Sequence, residues 1–261
     1  MRTIAIANQK GGCGKTTTAV NVAAALALSG HQTLLVDLDP QGHGTLGLGH
    51  DPGVLGKTMH EVITDGRTSV TDVLLDTRID RLALAPSNIL LGTAELDLSQ
   101  RVGREMILGE KLRQVADGYD YAILDCPPQL GLLMLNALMA SDYIVITVQV
   151  QYFALEGLKR LLETIHMMQQ RFPLCRIQTL GLVLTFVEDR VTLSRTVQQQ
   201  LRNYFGGLVC DGVIHKSTRL AEAPNAGESI LTYAPHSKAA SEYQTLTGEL
   251  VARIESAESP T

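Results

Sequence analysis

The sequence predicts an α/β fold, a doubly wound, mostly parallel sheet flanked by helices, and two observations carry that expectation. Short runs rich in Val, Ile and Leu recur at residues 3–7, 33–37, 81–85, 121–125, 143–148, 179–185 and 209–214. Most are apolar at consecutive positions instead of alternating, which is the pattern of strands buried on both faces of a parallel sheet. Longer helical patterns lie between them, and strand alternating with helix along the whole chain points to a single doubly wound domain.

Each element has its own local reason. The first run, 3–7, gives way at once to Asn8, Gln9 and Lys10, so it is too short for a signal peptide or a membrane span. Residues 16–29 are rich in alanine and close on Gly30, a favourable residue just past a helix end. The second run ends in Asp37, and residues 41–57 then hold six glycines, the composition of a mobile loop. The run at 121–125 ends in Asp125. After 143–148, residues 155–168 form a helical stretch of about four turns that stops before Pro173. The last helix, 237–254, places Tyr243, Leu246, Leu250 and Ile254 on one stripe, a core-docking pattern. Residues 1–255 therefore read as one domain and 256–261 as a frayed tail.

Composition narrows the function classes. In 261 residues, 45% are hydrophobic and 19% charged, ample apolar surface to offset the entropy of folding. The formal net charge is −5, which argues against a chain built mainly to coat nucleic acid or anionic membrane. Aromatics are only 4% and Trp is absent, so a base-stacking surface has little to work with. Cys13, Cys126, Cys175 and Cys210 show no CxxC spacing, which fits a reducing compartment, the cytoplasm, and neither a disulfide framework nor a zinc site.

The strongest chemical signal is KGGCGKTT, residues 10–17, between the first strand and the first helix. A loop there must be glycine-rich if backbone N–H groups are to close around phosphate oxygens, and the helix N-terminus adds its dipole. Gly11, Gly12, Cys13 and Gly14 supply that backbone. Lys15 provides a point charge for the β and γ phosphates, and the Thr16 hydroxyl is placed to ligate Mg²⁺. The usual P-loop has a glycine five residues before Gly14; Gln9 stands there, and Lys10 opens the loop.

These residues resemble the deviant-Walker ParA/MinD family of P-loop ATPases, whose signature is KGGxGKT. VDLDPQG at 36–42 resembles the family's second motif and ILDCPP at 123–128 its Walker B region, while QYFALEGL at 151–158 and RLAEAP at 219–224 resemble the ParA branch. The resemblance implies ATP and Mg²⁺ as cofactors, and a homodimer when ATP is bound, with Lys10 crossing to the partner's nucleotide. It also implies that Thr17 adds a phosphate contact, Asp39 positions or polarises the attacking water, and Asp37 lies near the metal. Asp125, ending an apolar strand, would hold Mg²⁺ through water. Cys13 and Cys126 read as small apolar fillers, with a redox pair as the other reading.

The branches differ in what the dimer rests on. A MinD-like membrane-associated switch would end in an amphipathic lipid-binding helix, and a metal-cluster carrier would need paired cysteine ligands; neither pattern is evident. ParA relatives bind double-stranded DNA without sequence preference. The resemblance assigns this role to Arg190 and Arg219, joined by Lys216 and by Arg195, Arg202 and Lys238. It implies a nucleoid-associated ATPase, slow and partner-stimulated, that moves or spaces a cargo through a ParB-like or adaptor protein. The chain departs from the family at His43, at Gln151 where relatives carry Glu, and at Ile214-His215-Lys216-Ser217 where IPRN is common.

Overall fold

The computed structural model describes residues 1–152 and 154–259; Phe153 of the QYFALEGL segment and Pro260 and Thr261 of the expected tail lie outside the described residues. The strands are β1 (Arg2–Ala7), β2 (Thr33–Asp37), β3 (Leu75–Asp76), β4 (Leu82–Ala85), β5 (Tyr121–Asp125), β6 (Tyr143–Gln149), β7 (Gln178–Val187) and β8 (Val209–His215). They form one sheet in the order β3-β4-β2-β5-β1-β6-β7-β8. Every pairing is parallel except β3 against β4. The fold is thus the doubly wound α/β sheet that the apolar runs predict.

The helices are α1 (Lys15–Leu28), α2 (His43–Gly47), α3 (Met59–Thr64), α4 (Ala94–Asp97), α5 (Ile107–Arg113), α6 (Leu132–Ala140), α7 (Ala154–Arg171), α8 (Thr192–Phe205), α9 (Thr218–Glu222), α10 (Ile230–Tyr233) and α11 (Lys238–Glu258). They cover both faces of the sheet, and the strands show why consecutive apolar residues are needed. In β1, Ala5 and Ala7 join one core while Ile4 and Ile6 join the other. In β5, Ala122 and Leu124 go one way, Tyr121 and Ile123 the other. A polar residue at any of these positions would be buried without a partner.

Three local expectations are corrected. Strand β3 was not foreseen, because two residues carry no periodicity; it exists by pairing Leu75 with Leu84 and Asp76 with Ala83 on an exposed edge. The stretch 41–57 is not a loop throughout, since it folds into α2 and a 3₁₀ turn at Pro52–Val54. The cause is non-local: Asp37 Oδ2 accepts the Thr45 N–H at 2.7 Å and the Thr45 hydroxyl at 2.8 Å, anchoring the short helix to the end of β2. The last helix runs past residue 254 to Glu258, whose carboxylate takes a forked bond from the Arg2 guanidinium at 2.8–2.9 Å.

The 42–57 segment is also held by a close backbone approach. Gly49 (φ +86°) and Gly227 (φ +65°) face each other, and a Cβ on residue 227 would lie 2.5 Å from the Gly49 Cα. Gly227→Ala should therefore lower stability by about 2 kcal/mol, a fall of roughly 5 °C in Tm. Gly248→Ala, exposed in α11 with open space around it, should leave Tm unchanged or raise it. Thermal denaturation of the two variants checks this; equal behaviour would show that the Gly49–Gly227 approach is not tight.

Candidate functional site

The sequence-predicted site residues, Arg202 excepted, lie at the carboxyl-terminal edge of the sheet, where a doubly wound fold gathers its loops. Residues 8–14 connect β1 to α1, and Gly12 (φ +70°) and Gly14 (φ +86°) adopt the left-handed backbone that lets the chain turn sharply into the helix. Neighbouring strands brace this loop. The Asn8 amide donates to the Thr147 carbonyl at 2.6 Å and accepts from the Lys10 N–H at 3.0 Å, while the Thr185 hydroxyl donates to the Cys13 carbonyl at 2.9 Å. Gly11 and Gly12 remain exposed, so their N–H groups are open to a ligand.

Two lysines frame the loop in different ways. Lys15, the first residue of α1, is only 6% exposed, and its ammonium donates to the Lys10 carbonyl at 3.2 Å. Lys10 is exposed and donates to the side-chain carbonyls of Gln149, at 3.0 Å, and Gln151. Thr16 and Thr17 follow at the helix start, half-buried. Cys13 and Cys126 are buried thiols with separate partners, Lys10 O and Thr147 for the first and Leu124 O for the second. Burial pushes the Cys126 thiol well above its usual range, which disfavours its thiolate.

The acidic half of the site comes from adjacent strands. Asp37 and Asp125 are register partners at the ends of β2 and β5, both wholly buried. A Cβ on Gly44 would lie 3.0 Å from Asp37 Oδ2 and 3.4 Å from Asp125 Oδ2, so residue 44 must lack a side chain. Asp37 is satisfied by Thr45 and by the Asp39 N–H at 3.1 Å, yet burial still raises its carboxyl to about 6. Neither oxygen of Asp125 has a hydrogen-bond partner. Burial, then the neighbouring charge of Asp37, drives its carboxyl well above the ordinary range; Thr16 and Lys15 offset this only in part. Asp39, 8% exposed, accepts the Gln41 N–H at 3.0 Å.

An orphaned buried carboxylate beside a hydroxyl and an ammonium is the environment a hydrated divalent cation satisfies, and Mg²⁺ prefers few protein ligands plus phosphate oxygens. Asp125 and Thr16 fit that ion, while the two bonds from Thr45 hold Asp37 in place nearby. Among the described residues, no group of three His, Cys, Asp or Glu side chains is assembled for a metal, which leaves the remaining positions to water and phosphate.

A feature without a sequence signal adjoins the loop. Phe186 takes φ +54°, unusual for a bulky residue, and helps line a cleft of about 310 Å³ with Gly14, Thr17, Ile214, Lys216 and Leu220. The predicted cations flank it. Arg190 lies in the turn after β7, and exposed Lys216 and Arg219 follow β8, with Lys216 3.7 Å from Glu188 and Arg219 3.9 Å from Glu222. Arg195, on the first turn of α8, and Lys238, on the first turn of α11, lie at the same edge. Arg202 does not: it occupies the last turn of α8, 3.8 Å from Asp211 near the start of β8, at the opposite edge.

Comparison with known proteins agrees with this geometry. Residues 1–176 match the AAA domain family. The chain is 42% identical to the sporulation initiation inhibitor protein Soj of Bacillus subtilis, over 95% of this chain and 98% of that protein. It is 40% identical to the chromosome partitioning protein ParA of Myxococcus xanthus, over 97% of this chain and 88% of that one. The chain belongs to the ParA family of partitioning ATPases. A structure of cobyrinic acid a,c-diamide synthase from Mycobacterium smegmatis, with bound ADP and magnesium, superposes with a TM-score of 0.86 at 35% identity, covering 99% of this chain and 97% of that one.

The buried acids set a pH dependence. A carboxyl raised in the folded state binds its proton more tightly there than in the unfolded chain. The ligand-free protein should therefore gain stability as pH falls from about 6, the Asp37 value, towards 4. Asp125→Asn should raise Tm at pH 8, since each unit of relieved shift is worth about 1.4 kcal/mol, or roughly 3–5 °C. It should also abolish any stabilisation by magnesium. A Tm at pH 8 below wild type would show that the Asp125 carboxylate is compensated.

Proposed function

We propose that this chain is a Mg²⁺-dependent ATPase that dimerises around ATP, rides on non-specific double-stranded DNA, and segregates a replicon through a ParB-like partner that stimulates hydrolysis. The observation that carries the reading is the placement of the glycine-rich loop and Lys15 beside the orphaned Asp125, a cradle with anion donors on one wall and an unsatisfied acid on the other. Gly11, Gly12, Cys13 and Gly14 present N–H groups to phosphate, Lys15 neutralises it, and Thr16 with Asp125 holds the magnesium that accompanies the nucleotide. ADP, or an ATP analogue, with magnesium in the Mycobacterium smegmatis structures supports the same pair of ligands here.

Within this reading, Asp39 orients water for attack and Thr17 adds a phosphate contact. Lys10 is exposed at the rim, where it can reach a second subunit once Gln149 and Gln151 release it. The cleft walled by Phe186 and Leu220 receives the base. Arg190, Lys216 and Arg219 form a small cationic edge that dimerisation doubles. The relatives named for chromosome partitioning favour a replicon as cargo over a protein assembly. A membrane-surface reading is disfavoured because Tyr243, Leu246, Leu250 and Ile254 of α11 are buried in the core and leave no apolar face for lipid. Among the described residues, no helix is long and apolar enough to cross a membrane.

Lys10→Ala should bind ATP with magnesium at wild-type affinity but remain monomeric when sized with a slowly hydrolysed analogue. Lys15→Ala should lose nucleotide binding by about 100-fold or more, the worth of a buried charge-assisted contact. Arg219→Glu should keep ATPase activity while losing DNA retention, and the residual binding should show a shallower salt dependence. A Lys10→Ala protein that dimerises normally would remove the sandwich-dimer reading.

A further inference from the structure

The carboxyl ends of β7 and β8 carry a charge cluster at the rim of the cleft beside Gly14, which His215 and Lys216 help to line. His215 ends β8 in register with Val187, and the Lys216 N–H donates to the Val187 carbonyl at 3.1 Å. The His215 Nδ1 lies 2.6 Å from Glu242 Oε1 on α11, and its Nε2 lies 2.9 Å from Asp189 Oδ2 in the turn after β7. The second Glu242 oxygen accepts the His215 backbone N–H at 3.0 Å. The imidazole and Glu242 are mostly shielded, with side chains 20% and 13% exposed, whereas Asp189 is 65% exposed. The other charged groups around the cluster are Lys238, 3.5 Å from Glu242, and the Lys216–Glu188 pair.

A carboxylate accepts and does not donate, so both ring nitrogens must carry hydrogen for both contacts to form. Only the imidazolium satisfies that geometry. Loss of one proton turns a lone pair towards a carboxylate and breaks one of the two links. The link to Asp189 is the exposed one, and Asp189 is the residue before Arg190. Of the neighbouring cations on the same edge, Lys216 follows directly on His215 in the chain and Arg219 comes after Ser217 and Thr218.

We propose that His215 is a positioning residue for the DNA-facing edge: its doubly bonded ring clasps the Asp189–Arg190 turn to α11, and DNA affinity is linked to its protonation. The inference rests on the DNA-binding reading above. Binding of duplex DNA should weaken as pH rises and the clasp opens.

The test is binding of the full chain, with magnesium and a slowly hydrolysed ATP analogue, to a random-sequence duplex at pH 6, 7 and 8 and fixed ionic strength. Wild type should lose affinity by about tenfold over that range, the worth of one charge-assisted bond. His215→Gln should bind at the wild-type pH 8 level throughout. Asp189→Ala separates positioning from charge, because removing an acid next to Arg190 strengthens DNA binding if only charge matters. The clasp predicts the opposite, about tenfold weaker binding at pH 6. Imidazole nitrogen NMR should show both His215 nitrogens carrying hydrogen under the conditions where duplex binding is strongest, and losing one of them as binding weakens. Asp189→Ala binding as well as or better than wild type at pH 6, or a His215→Gln profile parallel to wild type, would overturn the proposal. Failure of wild type to bind duplex at any pH would instead remove the DNA reading, and the clasp's role with it.

Discussion

Two carboxylates forced together in a dry sheet are the constraint around which this chain is arranged. Asp37 and Asp125 share a register position on neighbouring parallel strands, so the sheet cannot form without bringing them together. The chain compensates one and not the other. Thr45 and the Asp39 N–H solvate Asp37, and in doing so they nucleate α2 out of a glycine-rich segment that has little helical tendency of its own. Asp125 receives no such help. Its burial destabilises the empty protein at neutral pH, and on the proposed reading a cation held there would couple ligand binding to folding stability through one side chain.

The doubly wound topology makes that coupling local. Because every strand but β3 runs parallel, the loops that follow those strands emerge at the same edge. The phosphate loop after β1, the acids ending β2 and β5, and the cationic turns after β7 and β8 are therefore neighbours although they span most of the sequence. Thr185 and Thr147 make the connection physical, reaching from β7 and β6 to brace the loop at Cys13 and Asn8. A change in the nucleotide loop thus bears directly on the strands that carry Arg190 and Lys216.

What the sequence discloses and what it hides follow from the range of the forces involved. The doubly buried strands were legible because each residue's burial is written in its own apolarity, and the loop at 10–17 because phosphate binding needs glycines and a lysine at fixed spacing. Asp125 was expected at the end of its apolar strand, and Asp39, two residues past the end of β2, was named only from the family resemblance. The order in α2 was not, since it depends on a bond from Asp37 eight residues earlier in the chain. Phe186 was hidden because a positive φ in a bulky residue is imposed by tertiary packing against Gly14. His215 registered only as a departure from the family pattern; its meaning required Asp189 and Glu242, separated from it by 26 and 27 residues. Arg202 was misassigned because residue number does not reveal at which end of α8 a side chain emerges.

The net charge of −5 and a DNA-facing edge are compatible for the same geometric reason. Bulk charge sets the repulsion felt at long range, where salt screens it within about 10 Å. Contact with phosphate depends on the few cations at one edge. Here two of those cations have an acid close by, Glu188 beside Lys216 and Glu222 beside Arg219, which offsets part of their charge. On the proposed reading, such an edge would bind duplex weakly by itself and gain chiefly by duplication, since two weak contacts on one rigid body multiply. An acidic chain with balanced pairs at its edge is therefore suited to a contact that exists only while two subunits are joined, and that lapses when nucleotide turnover separates them.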